Sequence, residues 1–216
     1  MKRIVFIGAG GHAAELRDYI RHSNKDGSSM FIEVLGYLDD SRANYAHYNY
    51  EEPYLGTING HMVRDDVEYL MAIANLKYRR EIIESFLKQG AEFTGFIHPT
   101  CQISLSADIH PTTIISHRVS VGPKVKIGAY NLLNSRVTVG HDTVIGDYNF
   151  ISPLVALSGN TKIGNSNMLG THSVTIPAIE VGNNNIIGAG TVLYRNVEND
   201  YTIVQGSKPR VLKKHS

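Results

Sequence analysis

Tryptophan is absent from this 216-residue chain, and cysteine occurs once, at Cys101. A single thiol excludes an intrachain disulfide and supplies no cysteine framework for a metal. No apolar run approaches the roughly 18 residues that a membrane helix needs. The opening MKRIVFIGAGGHAAEL carries only a short apolar run that ends in a glycine loop, which is not the pattern of a signal peptide. A cytoplasmic protein is the resulting expectation. An excess of one charge is also missing: Lys and Arg number 21 against 20 Asp and Glu, for a net charge of +1. No global field therefore draws in nucleic acid or an anionic membrane. What the chain has in quantity is glycine, at 20 residues, and tyrosine, at 12.

Residues 1–96 alternate between strand and helix patterns. RIVFI (3–7) reads as an apolar strand, GAGGH (8–12) as a tight loop, and AAELRDYIRH (13–22) as a helix with Ala14, Leu16 and Ile20 on one side. IEVLGYLDD (32–40) reads as a second strand ending in two carboxylates, and YLMAIA (69–74) as a third. KYRREIIESFLKQG (77–90) reads as a helix with Ile82, Ile83, Phe86 and Leu87 on one face and Gly90 as its stop. The tyrosine-rich stretch 39–56 reads as a surface loop. This alternation predicts a small parallel sheet flanked by helices, a Rossmann-like βαβαβ unit.

From Ile97 the pattern changes to a period of six. Taking every sixth residue from Ile97 to Leu193 gives Ile, Leu or Val at every position except Thr175. Glycine follows the aliphatic residue at 122, 128, 140, 146, 164, 170, 182 and 188. One aliphatic side chain per six residues cannot fill a sandwich, but it can fill a narrow prism whose layers repeat. Three hexads per turn predict a parallel β-helix with an 18-residue coil, spanning 97–216 with its tail. Glycine or asparagine is expected where the chain turns a corner through left-handed backbone angles.

The 18-residue coil names spatial neighbours. His141, in VTVGHDTVIG (137–146), has Pro123 one coil earlier and Gly159 one coil later. A corner histidine beside a glycine suits acyl transfer: the imidazole takes a proton from an attacking amine or hydroxyl, and the bared Gly159 N–H steadies an oxyanion. Asp142 can fix the imidazole tautomer, as a carboxylate does in a catalytic triad. Adjacent residues on a regular strand point to opposite sides, so Asp142 reaches the ring only if the backbone bends there. His117 and His172 have no adjacent acid and read as surface residues. His98 and His110 precede prolines and read as turn residues. No Cys/His spacing suggests zinc, and no metal is expected.

The chain resembles the bacterial NeuD/PglD-like sugar acetyltransferases in IVFIGAGGHAAE, in GYLDD, in GHDTVIGDYNFISP within the hexapeptides, and in the closing TIVQGSKPRVLK. The resemblance covers essentially the whole chain. It implies a left-handed β-helix, acetyl-CoA as co-substrate, and a homotrimer with active sites between subunits. It places the catalytic histidine at His141 and its acid partner at Asp142. It places acetyl-CoA contacts at Gly159, Thr171 and Ala189. Relatives often carry a second histidine where this chain has Phe150, whose ring can pack on the pantetheine but cannot hydrogen-bond. The basic tail with Lys208, Arg210, Lys213 and Lys214 reads either as a clamp for CoA phosphates or as a solvated end.

At the front, the G-x-G-x-x-G fingerprint fails because Ala13 stands at its third glycine, which argues against NAD. In the amino-sugar relatives this loop and the two acids after the second strand hold a nucleotide, which implies Gly10, Gly11, His12, Asp39 and Asp40 here. The alternative is that Asp39 and Asp40 only begin a turn. The function expected is N-acetylation of a UDP- or dTDP-linked amino sugar for surface glycan (lipopolysaccharide or capsule) synthesis. The alternatives are O-acetylation of sialic acid or a related sugar, and a non-catalytic sugar-binding scaffold.

Overall fold

The computed structural model describes residues 1–25 and 31–205. The N-terminal part is a five-stranded, wholly parallel sheet in the order β3-β2-β1-β4-β5. Its strands are β1 (Lys2–Ile7), β2 (Ile32–Leu38), β3 (Tyr54–Gly56), β4 (Glu68–Met71) and β5 (Glu92–Thr94). Helix α1 (Gly11–Lys25) links β1 to β2, and α3 (Leu76–Lys88) links β4 to β5. The two links run outward in opposite directions from the centre, so right-handed crossovers put the helices on opposite faces. Period-two alternation in β1 serves both layers. Ile4 and Phe6 join Ala13, Leu16 and Ile20 of α1, whereas Val5 and Ile7 join Ile83 and Phe86 of α3.

The stretch 39–56 is not a plain surface loop. It holds α2 (Arg42–His47) and β3, and it buries Tyr50, which stacks on Tyr37 at 3.9 Å between ring centroids. The hydroxyls of Tyr45, Tyr50 and Tyr54 find main-chain acceptors while their rings pack together, which loop composition does not reveal. In α3 the buried stripe is Arg79, Ile83 and Phe86, at spacings of four and three, and Leu87 lies outside it, 39% exposed. Gly90, at φ +88°, follows the helix as its left-handed stop.

From Phe96 onward, two-residue strands repeat around three parallel sheets of seven, six and five strands. Each strand pairs with the one 18 residues away, as in Thr138↔Ala156 and Val139↔Leu157. The aliphatic residues form one continuous core running from Ile115 to Leu193. Ile97 is 44% exposed, because no coil lies beneath the first one. Thr175 is buried, and its hydroxyl is tied to Ser158 N–H and to Thr161. The last coil shortens to 16 residues, with Ile187 pairing Ile203.

The corners differ from expectation. The left-handed positions recur every six residues as Arg118, Lys124, Tyr130, Arg136, Asp142, Tyr148, Leu154, Asn160, Ser166, His172, Ala178 and Asn184. Most are neither glycine nor asparagine. Several donate their N–H to the preceding coil, as Asp142 does to Pro123 O at 2.9 Å, which helps offset the left-handed conformation. The repeat glycines serve close approach instead: a Cβ on Gly122 would lie 2.8 Å from His141 N, and one on Gly140 would meet Gly159 N. A second core feature is a ladder of Asn131, Asn149, Asn167 and Asn185, all fully buried on one edge. Each side-chain carbonyl in the run from Asn131 to Asn167 accepts the next asparagine's main-chain N–H, at 2.8 to 2.9 Å.

The N-terminal unit packs on one face of the prism. Ala13, Leu16 and Ile20 of α1 share a core with Phe96, Ile114 and Leu132, the outward residues of that face. On the other side of the sheet, the buried Arg79 guanidinium donates to Ile73 O at 3.1 Å and to Tyr130 O at 3.3 Å. It thereby ties the end of β4 to a corner of the β-helix. Burial without a carboxylate pushes its pKa down to about 10.

Candidate active site

His141 and Asp142 stand at the corner after strand Thr138–Val139. Asp142 has φ +57°, and this bend turns its carboxylate back to the neighbouring ring: His141 Nδ1 lies 2.8 Å from Asp142 Oδ2. An ionised carboxylate can only accept, so Nδ1 carries the proton and Nε2 of the neutral ring is an acceptor. The ring is 61% exposed. Gly159, one coil on, makes room for the imidazole. A Cβ there would lie 2.7 Å from Nε2 and 2.8 Å from Cε1. Protonated on one nitrogen, open on the other and reachable from solvent, the ring is built to take a proton.

The second site lies at the carboxyl ends of β1, β2 and β4, where the strand order reverses direction. Open α/β sheets bind ligands at this position. A cleft of ≈ 710 Å³ opens there, lined by Asp39, Asp40, Asn44, Ile58, Ile73 and Tyr78 among others. Asp39 is 7% exposed, and its carboxylate accepts from Ala9 N at 2.7 Å and Ser41 N at 2.8 Å. Its oxygens thus brace the glycine loop. Asp40 is exposed, and one of its oxygens accepts from Ile58 N at 2.8 Å. Ala14 N donates to Gly10 O, so the amides of Gly11, His12 and Ala13 precede the first helical hydrogen bond of α1.

Thr171 and Ala189 sit one above the other on successive coils, and Gly190 N donates to Thr171 O at 2.8 Å. Their corner follows strand Met168–Leu169, whereas Gly159 shares the corner of His141, so the two groups occupy different edges of the prism. Phe150 is half-buried and packs against the core shared with α1. Lys208 and Arg210 lie outside the described residues. His98 and His110 hold their turns, each through Nδ1 at 2.9 Å from the hydroxyl two residues on, Thr100 and Thr112. His117 is less isolated than its sequence context suggests, since its Nδ1 lies 2.9 Å from Tyr19 Oη.

Three further residues escape sequence reasoning. Tyr50 donates to the carbonyls of Ala9 and Gly10, at 3.1 and 3.2 Å. Glu15 sits 3.6 Å from His12 Nδ1, and that pairing holds its carboxyl below the usual range. Arg79 is the third, described above. The spacing of Glu15 three residues after His12 on a helix was a signal that could have been read.

A three-faced β-helix of hexapeptides carrying an acid-oriented corner histidine defines the class of hexapeptide-repeat acyltransferases. Residues 3–86 match the model of the PglD N-terminal domain. The acetyltransferase domain of PglB from Neisseria gonorrhoeae aligns at 25% identity with TM-score 0.75, over 91% of this chain and 93% of that one. PerB from Caulobacter crescentus, solved with CoA and GDP-perosamine, aligns at 23% identity and TM-score 0.78, over 94% and 93%. WeeI from Acinetobacter baumannii aligns at 23% and TM-score 0.78, over 98% and 100%. A search of curated proteins returns no match. Residues 3–86 are thus similar to the PglD N-terminal domain, and the chain as a whole shares the fold of these acetyltransferases, a left-handed β-helix behind a small α/β unit. Among the described residues no helix is long and apolar enough to cross a membrane.

Proposed function

We propose that this chain transfers the acetyl group of acetyl-CoA to the amine of a nucleotide-linked sugar, carried on UDP or dTDP, for bacterial surface glycan synthesis in the cytoplasm. The observation that carries the reading is the His141–Asp142 pair, with a protonated Nδ1 and an exposed ring seated over Gly159. The amine attacks the thioester carbon directly. A C–N bond forms, the carbonyl oxygen takes up negative charge, and His141 Nε2 accepts the amine proton as the tetrahedral intermediate develops. Collapse breaks the C–S bond, and the CoA thiolate takes the proton back from the imidazolium. Cys101 points its Sγ at Ser116 O, 3.0 Å away, and plays no part. Gly10, Gly11, His12 and Asp40 take the nucleotide at the sheet's cleft, with Asp39 bracing the loop. Thr171, Ala189 and Phe150 flank the pantetheine, and Lys208 and Arg210 meet the CoA phosphates.

The layout supports a homotrimer with shared sites. Helix α1 climbs one edge of the prism: His22 is beside His98 in the first coil, and Tyr19 packs on His98 and His117. Its N-terminus therefore aims along the edge that carries Thr171 and Ala189, while His141 stands on the next edge. A neighbouring copy set against that edge would supply its own His141, and a closed ring of such contacts is cyclic.

The test is thiol release from acetyl-CoA with a panel of UDP-, dTDP- and GDP-linked amino sugars plus free sialic acid. GDP joins the panel because PerB was solved with GDP-perosamine. Release with one nucleotide-linked amino sugar, lost by roughly 10²-fold or more in His141→Ala, is the expected result. Release with sialic acid alone would overturn it.

A further inference from the structure

We infer that Tyr48 is a further substrate-binding residue, donating its phenol O–H to the diphosphate of the nucleotide-linked sugar at the N-terminus of α1. This rests on the function proposed above and adds a residue that neither the sequence pattern nor the glycine loop implies. The tyrosine-rich segment folds over that loop. Tyr45, Tyr50 and Tyr54 commit their hydroxyls to main-chain oxygens of Glu52, of Ala9 and Gly10, and of Asp39. Tyr48 is the exception in the segment: among the described residues its hydroxyl has no hydrogen-bond partner. That hydroxyl lies against Gly11, 2.9 Å from where a Cβ on Gly11 would stand.

The position is fixed, not accidental. Asn49, at φ +47°, bends the chain so that Tyr48 and Tyr50 both address the loop. The Tyr48 ring meets His47 edge-on at 4.8 Å and lies tilted against Tyr50 at 5.9 Å. Tyr50 pulls the Ala9 and Gly10 carbonyls to its own side. The amides of Gly11, His12 and Ala13 are left to the open end of the helix, where an anion is favoured.

His12 points independently to a ligand there. Its side chain is only 10% exposed, and its Nε2 is buried without a partner. Nδ1 faces Glu15, one turn further along α1, and the two ring nitrogens of an imidazole point apart. Nε2 is therefore turned away from Glu15. Three open amides and a free phenol flank Gly11, and the orphaned nitrogen belongs to the next residue along the chain. Phosphate oxygens match the amides and the phenol, because each accepts and none needs an acceptor, while a hydroxyl of the same nucleotide sugar can donate to Nε2, which accepts when Nδ1 donates to Glu15. A diphosphate occurs in both co-substrates, the nucleotide sugar and CoA, and the placement beside the sheet's nucleotide cleft favours the first.

The experiment uses the full chain and Tyr48→Phe, which keeps the ring and removes the hydroxyl. UDP, dTDP and GDP are titrated by calorimetry alongside the matching monophosphates, and KM is measured for acetyl-CoA and for the accepted nucleotide sugar. Loss of one hydrogen bond to a charged group is expected to weaken the preferred nucleoside diphosphate, and raise KM for its sugar, about tenfold. KM for acetyl-CoA and kcat are expected to hold. Undiminished diphosphate affinity in Tyr48→Phe, with tight binding by the wild type, overturns this role and leaves the function standing. A tenfold rise in KM for acetyl-CoA instead reassigns the diphosphate to CoA and overturns the inference as stated. Failure of the wild type to bind any nucleotide removes the proposed function and this role with it.

Discussion

The imidazole of His141 lies directly over Gly159, with Nε2 2.7 Å from the point a Cβ on that glycine would occupy. A methyl group at 159 therefore expels the ring from its seat. Gly159 has no left-handed φ, so alanine costs little in backbone strain. The exposed imidazole can swing outward, but only by breaking its bond to Asp142. Gly159→Ala is expected to lower kcat about 10²-fold while shifting Tm by no more than a few degrees. Thiol-release kinetics and a thermal melt check both halves. Wild-type kcat in this variant would show that the observed ring position is not the working one.

Asp142→Asn isolates charge from geometry. Asparagine tolerates the left-handed backbone at this corner as well as aspartate does. Its side-chain amide, however, can also present N–H groups to the ring and favour the wrong tautomer. We expect kcat to fall by at least tenfold, with KM for both substrates nearly unchanged, if Asp142 acts as proposed through its bond to the His141 ring. Steady-state kinetics against both substrates decides it. A rise in KM with kcat intact would make Asp142 a binding group instead.

Much of this was legible because a prism core admits one solution. An aliphatic residue every sixth position has no use in other folds, so the β-helix and the 18-residue neighbours of His141 follow from the sequence. Why glycine follows the aliphatic residue did not follow. The sequence marks where a Cβ is missing, and only the next coil shows that close approach, as at Gly140 against Gly159, is the reason. Contacts between elements were equally hidden. Nothing local links Tyr48 to Gly11, or Arg79 to Tyr130, because periodicity reports which face is apolar and not what polar group reaches across. The Asp142 bend lies between: its need was foreseeable, but its angle was not.

The asparagine ladder carries stability and no chemistry. Asn149 is fully buried, and its Nδ2 donates to Asn131 Oδ1 at 3.0 Å and to Gly164 O at 2.9 Å. Its Oδ1 accepts from Asn167 N at 2.8 Å. Alanine there strands donors and acceptors in two coils that no water reaches. A loss of about 2–5 kcal/mol is expected for Asn149→Ala. The urea midpoint measures it. A change below about 1 kcal/mol would mean the neighbouring coils re-pair without it.

Glu15 gives the junction of α1 and the β-helix an acid-sensitive element. Pairing with His12, aided by the charge of His117, holds its carboxyl below the usual carboxylate range. A carboxyl depressed in the folded state adds stability that is complete above its unfolded value. That stability drains away as pH falls through the lower folded value. Tyr19, whose phenol is pushed upward by burial and by Glu15, stays neutral across this range. Glu15→Gln should therefore unfold at lower urea than the wild type at pH 7. The gap should close well below pH 4.5, where the wild-type carboxyl is protonated too. The same variant frees the His12 ring to turn, so KM for the nucleotide sugar should rise at pH 7 while KM for acetyl-CoA holds. Urea midpoints from pH 7 to pH 3 and the two KM values together test the pairing. A gap between the two proteins that is the same at every pH would assign Glu15 to packing alone.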